Sequence, residues 1–155
     1  IQFFKPSTLL IAGDMFHSHA NKEIDFFLKW RNDFPNLDIQ LIKGNHDVLS
    51  NKFYENANIK VIKEKLSIGN FCFTHEIASV CEDDNEELFT FSGHIHPGIS
   101  VSGGGKQSFK LPCFYFTTKH AVLPAFSMFT GLFKIRPKKT DTVFALVENQ
   151  VIKMQ

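Results

Sequence analysis

The chain is short of sulfur, of net charge and of long apolar runs. It has only three cysteines, Cys72, Cys81 and Cys113, an odd number without CxxC spacing. That pattern excludes a thiolate zinc site and a disulfide framework, and reduced thiols in a cytoplasmic protein are expected. The formal net charge is only +1, so overall charge points to no polyanionic partner, although a local basic patch is compatible with it. No apolar run reaches the length of a membrane span, and no positively charged leader precedes one. An initiator Met is also missing. The chain opens IQFFKPSTLLIAGD, and its first strong strand is expected near Thr8.

What is present describes one globular domain over residues 1–155. Hydrophobic residues make up 43% and charged residues 21%, enough to bury a core. Phenylalanine, 18 of 155 residues, predicts an aromatic-rich interior. Four apolar runs share one grammar: each ends in a small residue or directly in a polar side chain suited to a metal. TLLIAGDMFH carries Thr8–Ala12 into Gly13 and Asp14. DIQLIKGNHD carries Asp38–Lys43 into Gly44, Asn45, His46 and Asp47. FCFTHE ends at His75, and LFTFSGHIHP ends at Gly93, His94, Ile95, His96 and Pro97.

Runs of this kind suit strands buried on both faces. Between the first two, Ile24, Phe27 and Leu28 share a helical face, Ser18 or Asn21 is placed to cap it, and Pro35 marks its stop. A strand–helix–strand unit predicts a parallel pair. After residue 98 the texture becomes more antiparallel. Two strands surround the Gly-rich SGGGKQS, and another pair surrounds Glu148-Asn149.

In an open α/β sheet, ligands gather at the carboxyl ends of the strands. A carboxylate, an amide oxygen and several imidazoles, with no thiolate, suit manganese, iron or zinc with open coordination positions. Asp14, Asn45, His46, Asp47, His75, His94 and His96 are therefore the candidate site residues. Four such strand ends in one chain are hard to credit to coincidence.

GDMFH, GNHD, the isolated His75 and GHIHP resemble successive motifs of the calcineurin-like metallophosphoesterases. GDMFHS, GHIHP and the segment Leu111–Gly131 resemble the bacterial DNA ligase-associated branch of that family. The resemblance implies an α/β fold bordering on α+β, a sandwich of two mixed β-sheets flanked by helices. It implies two divalent ions, manganese above all, with iron, zinc or nickel as alternatives. Asp14 would bridge them, Asn45, His75 and His94 would complete one, and His96 would bind the other. Ile95 would be a spacer pointing into the core. Such a pair of cations, roughly 3.5–4 Å apart, generates a nucleophile from shared water and clamps both oxygens of an in-line displacement. By the same resemblance His46 would assist the leaving oxygen, with Asp47 orienting its ring, and His17 would face substrate or support the ligands. The implied activity is hydrolysis of phosphodiesters in DNA, in the setting of a DNA ligase or helicase. A nucleotide or other small phosphoester is the alternative substrate, and a metal-depleted protein-binding scaffold the non-enzymatic alternative.

Other signals have plainer expectations. His19 and His120 read as ordinary surface or strand histidines. SGGGKQS is a hairpin turn, because Gln107 stands where a phosphate loop needs Ser or Thr. FKIRPKKTD and CEDDNEE are expected to be solvated connections.

One departure matters. The family's first motif, Asp-x-His, is absent from this chain and is expected upstream of Ile1. Without it one ion has four protein ligands and the other only Asp14 and His96, too few for a stable site. Calorimetric titration of this chain with Mn²⁺ is expected to show at most one tightly held ion; two tight ions would overturn that count.

Overall fold

The computed structural model describes residues 1–17, 22–77, 82–83, 86–103, 108–127 and 130–154, with the backbone alone at 82, 83, 86 and 87. Strand β1 (Thr8–Ile11), helix α1 (Lys22–Asp33), strand β2 (Asp38–Ile42), helix α2 (Asn51–Asn56) and strand β3 (Ile59–Ile62) build a three-stranded sheet in the order β1-β2-β3. Both pairings are parallel, as the strand–helix–strand pattern requires. Central β2 buries Ile39 and Leu41 completely, because a parallel strand with a neighbour on each side has two faces to cover.

Ile24, Phe27, Trp30 and Phe34 of α1 and its exit, with Phe53 and Tyr54 of α2, pack on the cluster of Leu37, Ile39, Leu41 and Ile59. Leu28, expected on the same face as Ile24 and Phe27, is instead 37% exposed. The helix ends at Asp33, two residues before Pro35. The candidate caps Ser18 and Asn21 lie outside the described residues. So do His19, Cys81 and the turn at 104–107.

The chain continues through β4 (Lys65–Ile68), β5 (Phe71–Thr74), a two-residue ladder of β6 (Glu82–Asp83) with β7 (Glu86–Glu87), and β8 (Phe89–Ser92). It then runs through β9 (Pro97–Ser102), β10 (Ser108–Phe116), β11 (His120–Val122), β12 (Phe133–Lys134), β13 (Thr142–Val147) and β14 (Gln150–Lys153). Apart from β6 and β7, these strands form a nine-stranded sheet ordered β12-β9-β10-β11-β8-β5-β4, with β13 joining β10 to β14. Pairing is parallel for β5–β8, β8–β11 and β9–β12 and antiparallel elsewhere. The two-sheet α+β architecture agrees with the expected sandwich; the smaller sheet is purely parallel, where two mixed sheets were expected. The sequence pattern also passed over α2, β3, β4 and β12, which are short; Lys60 interrupts β3 and Lys65 opens β4.

The expectation of reduced thiols is corrected. Cys72, wholly buried on β5, is disulfide-bonded. Cys113 is free, and burial pushes its thiol up to about 11. Pairing depends on Cα approach in space rather than on spacing in the chain. The cytoplasmic expectation loses the support it drew from reduced thiols. Among the described residues no helix is long and apolar enough to cross a membrane.

One buried cation closes the first layer. Arg31, 6% exposed in the last turn of α1, donates from Nε to Ala57 O (3.1 Å), from Nη2 to Leu37 O (3.0 Å) and from Nη1 to Phe34 O. These carbonyls end α1, enter β2 and leave α2, so one guanidinium fork ties three segments. Arg31→Met is expected to leave them without their donor and to lower stability by about 2–4 kcal/mol, read from the urea midpoint.

Candidate metal centre

The loops at the carboxyl ends of β1, β2, β5 and β8 meet at one point. His75 is the hub. It is 5% exposed and packs against the β1 end, where its Nδ1 lies 2.9 Å from Ala12 O. A carbonyl only accepts, so Nδ1 carries the proton and a neutral ring presents its lone pair at Nε2. Around that nitrogen stand Asn45 Oδ1 at 3.0 Å, His94 Nδ1 at 3.1 Å and Asp14 Oδ2 at 3.4 Å. Ligand atoms about 2.1 Å from a shared ion lie about 3.0 Å apart at right angles and about 3.4 Å apart in a tetrahedron.

The donor chemistry fits a cation. Two oxygens crowd around Nε2, and a proton there could face only one of them at a time. A divalent ion faces them all. Asp14, His75 and His94 form a group that could hold a metal ion, their ligand atoms lying within 4.8 Å of one another.

Backbone strain marks the same place. Asp14 (φ 55°), His94 (φ 64°) and His96 (φ 46°) all occupy the left-handed region, which costs a non-glycine residue about 1–3 kcal/mol. Glycine is required beside them. A Cβ on Gly13 (φ 87°) would sit 2.1 Å from His75 Nδ1, and one on Gly44 would sit 2.2 Å from Asp14 Oδ1. Phe16, two residues past Asp14, anchors the loop in the core, its ring edge-on to Phe27 and Phe53.

Asp47 has a role the sequence did not suggest. It was expected to orient the His46 ring, yet its described hydrogen bonds all go to backbone N–H groups. Oδ2 accepts from Asp14 and Gly44, both at 2.8 Å, and Oδ1 accepts from Met15 (2.8 Å) and Phe16 (3.2 Å). The carboxylate, 2% exposed, thus clamps the β1 and β2 loops together. The available signal was a carboxylate opposite two glycine turns, which spacing alone does not pair.

His46 is exposed at the rim. Its backbone N–H donates to Asp14 Oδ1 (2.9 Å), fixing the oxygen that does not face His75. His17, also exposed, stacks its ring on that of His46 with centroids 5.4 Å apart. His96 is half-buried at the β9 entrance, where its carbonyl accepts from Phe133 N (3.0 Å). Its ring is not in the group around His75. Ile95, half-buried, separates the two turn histidines. His120 lies away from these residues on β11, bonded to Thr117, with its pKa lowered by burial.

No protein-family model matches the chain, and no curated protein matches it. Among solved structures, the crystal structure of Pseudomonas putida nuclease MPE is similar to this chain with a TM-score of 0.78 and 27% identity, covering 96% of this chain and 70% of that one. The two share their fold along almost all of this chain, in agreement with a metallophosphoesterase-type architecture.

Asp47→Asn places an NH2 group against amides that need an acceptor. It is expected to lower Mn²⁺ affinity about 10–100-fold and to depress the thermal midpoint, measured by calorimetry and circular dichroism. Unchanged affinity would show that the clamp is dispensable.

Proposed function

We propose that this chain is a metal-dependent phosphoesterase that hydrolyses phosphodiester bonds in DNA. The observation that carries this reading is the convergence of Asn45 Oδ1, His94 Nδ1 and Asp14 Oδ2 on His75 Nε2, each within 3.0–3.4 Å of it, on a fold shared with a nuclease. Asp14, Asn45, His75 and His94 would hold one divalent ion. Asp14 would reach toward a second, with His96 as that ion's further ligand. Manganese suits the oxygen and imidazole mixture, with iron, zinc and nickel as alternatives. Bound divalent cations supply Lewis-acid polarisation of phosphoryl oxygens and a nucleophile drawn from water at neutral pH.

The chain's own residues supply the rest. The exposed His46 ring stands at the rim of the cluster, where an N–H can meet the leaving oxygen as its bond to phosphorus breaks. Its backbone N–H meanwhile holds Asp14 in the ligating rotamer. The ring of His17, lying against it, limits the directions that His46 can take. The repair setting, beside a DNA ligase or helicase, is supported by the resemblance of GDMFHS, GHIHP and Leu111–Gly131 to the ligase-associated branch.

His46→Ala is expected to bind Mn²⁺ within about twofold of the parent and to lose about 10²–10⁴-fold in turnover on an oligonucleotide. Undiminished turnover in that variant would remove His46 from the mechanism. Failure of the parent protein to cleave DNA, nucleotides and an aryl phosphodiester, at Mn²⁺ concentrations that fill the weaker site as well, would overturn the function itself.

A further inference from the structure

Beside the candidate centre lies a cavity of about 550 Å³ that shares two of its walls, Asn45 and His75, with the ligand cluster. Three lysines line it. Lys43 precedes the Gly44-Asn45 turn and is fastened to β3 through its N–H to Ile62 O (2.8 Å). Lys63 and Lys65 come from the β3–β4 connection and the start of β4. Lys43 follows β2 of the smaller sheet while Lys65 opens β4 of the larger one, so their convergence is a product of folding rather than of a charge run in the sequence.

Glu64 and Glu76 line the same cavity. Even so, among the described residues no ion pair joins either of them to Lys43, Lys63 or Lys65. Three exposed lysines against two exposed glutamates leave the cavity lining with an excess of one positive charge beside the candidate centre. Ammonium groups set around a concave wall repel one another, and an anionic guest relieves that repulsion. The volume falls within the ~300–1,000 Å³ of sites that enclose an organic ligand. It is larger than one phosphate requires.

We propose that Lys43, Lys63 and Lys65 seat the phosphates of a nucleic-acid strand that flank the one held at the metal centre. The inference rests on the phosphodiesterase reading and deepens it: it gives the strand a seat outside the metal centre and a path, away from His75 and along the β3–β4 connection. Lysine suits the task because its point charge needs no fixed geometry, so the track tolerates any base sequence.

The test is binding without turnover. The whole chain in EDTA is titrated against a fluorescein-labelled oligothymidylate of about a dozen nucleotides, followed by anisotropy from about 50 to about 200 mM NaCl. The triple variant K43Q/K63Q/K65Q is expected to bind at least about tenfold more weakly at the lower salt. Its log–log salt slope should fall by about 2, because each single-strand phosphate contact contributes about 0.7. The charge-matched variant K22Q/K29Q/K153Q should behave like the parent, and thermal midpoints establish that all three proteins fold. If the triple variant does not fold, K63Q alone should lose about 0.7 of slope. Parent-like affinity in the cavity variant, equal losses in the charge-matched variant, or competition by thymidine monophosphate as strong as by the unlabelled oligonucleotide would each overturn the proposal. Activity is read separately: a parent protein that binds the strand through these lysines and cleaves nothing with Mn²⁺ would defeat the phosphodiesterase reading and leave the seat standing.

Discussion

Beneath the candidate centre, the Asp47 carboxylate accepts four backbone N–H groups, three from the loop after β1 and one from the loop after β2. Bonds from amides to an ionised acceptor are stronger than neutral ones, and here they are shielded from water. They hold Asp14 in the left-handed backbone region, which costs a non-glycine residue free energy. The position of Asp14 in turn sets where its carboxylate meets the His75 ring and the His46 amide. The rest of the site follows from this clamp, because a loop free to relax would carry its oxygen away from the hub.

Two kinds of packing support the clamp. Phe16 sinks into the aromatic cluster of the first layer and fixes the far end of the β1 loop. Gly13 and Gly44 allow that loop to approach His75 and the β2 loop more closely than any side chain would permit. On the other sheet, Gly93 N donates to His75 O (3.1 Å), so the turn bearing His94 is tied to the strand bearing His75. The two sheets are thus joined where the acceptors are concentrated. The strain at Asp14, His94 and His96 is the energetic counterpart of that arrangement.

Electrostatics give the site its purpose. Several acceptor atoms held within about 3.5 Å of one another in a water-poor pocket are unfavourable neighbours unless positive charge lies between them. A divalent cation would balance that crowding, and His46 and His17 stand exposed at the rim. Lys43, Lys63 and Lys65 line the cavity beside Asn45 and His75.

Much of this was legible in the residue order. The apolar runs set β1, β2, β5 and β8, and the intervening helix made the first pair parallel. One polar residue from the end of each run (Asp14, Asn45, His75 and His94) belongs to the cluster the fold draws together, while the His96 ring does not. That is local information: a buried strand and its terminating turn are encoded within about ten residues. The destination of the Asp47 carboxylate, the pairing of Cys72, the short strands β3 and β4, and the meeting of Lys43 with Lys63 and Lys65 were not legible. Each depends on which surfaces come within a few ångströms of one another after the sheets pack, and no spacing within a single segment contains that distance. The sequence by itself determined which side chains stand at strand ends and what chemistry they offer. Only the tertiary structure decided which of those ends share a point in space, because hydrogen bonds and charges act over separations that folding alone creates.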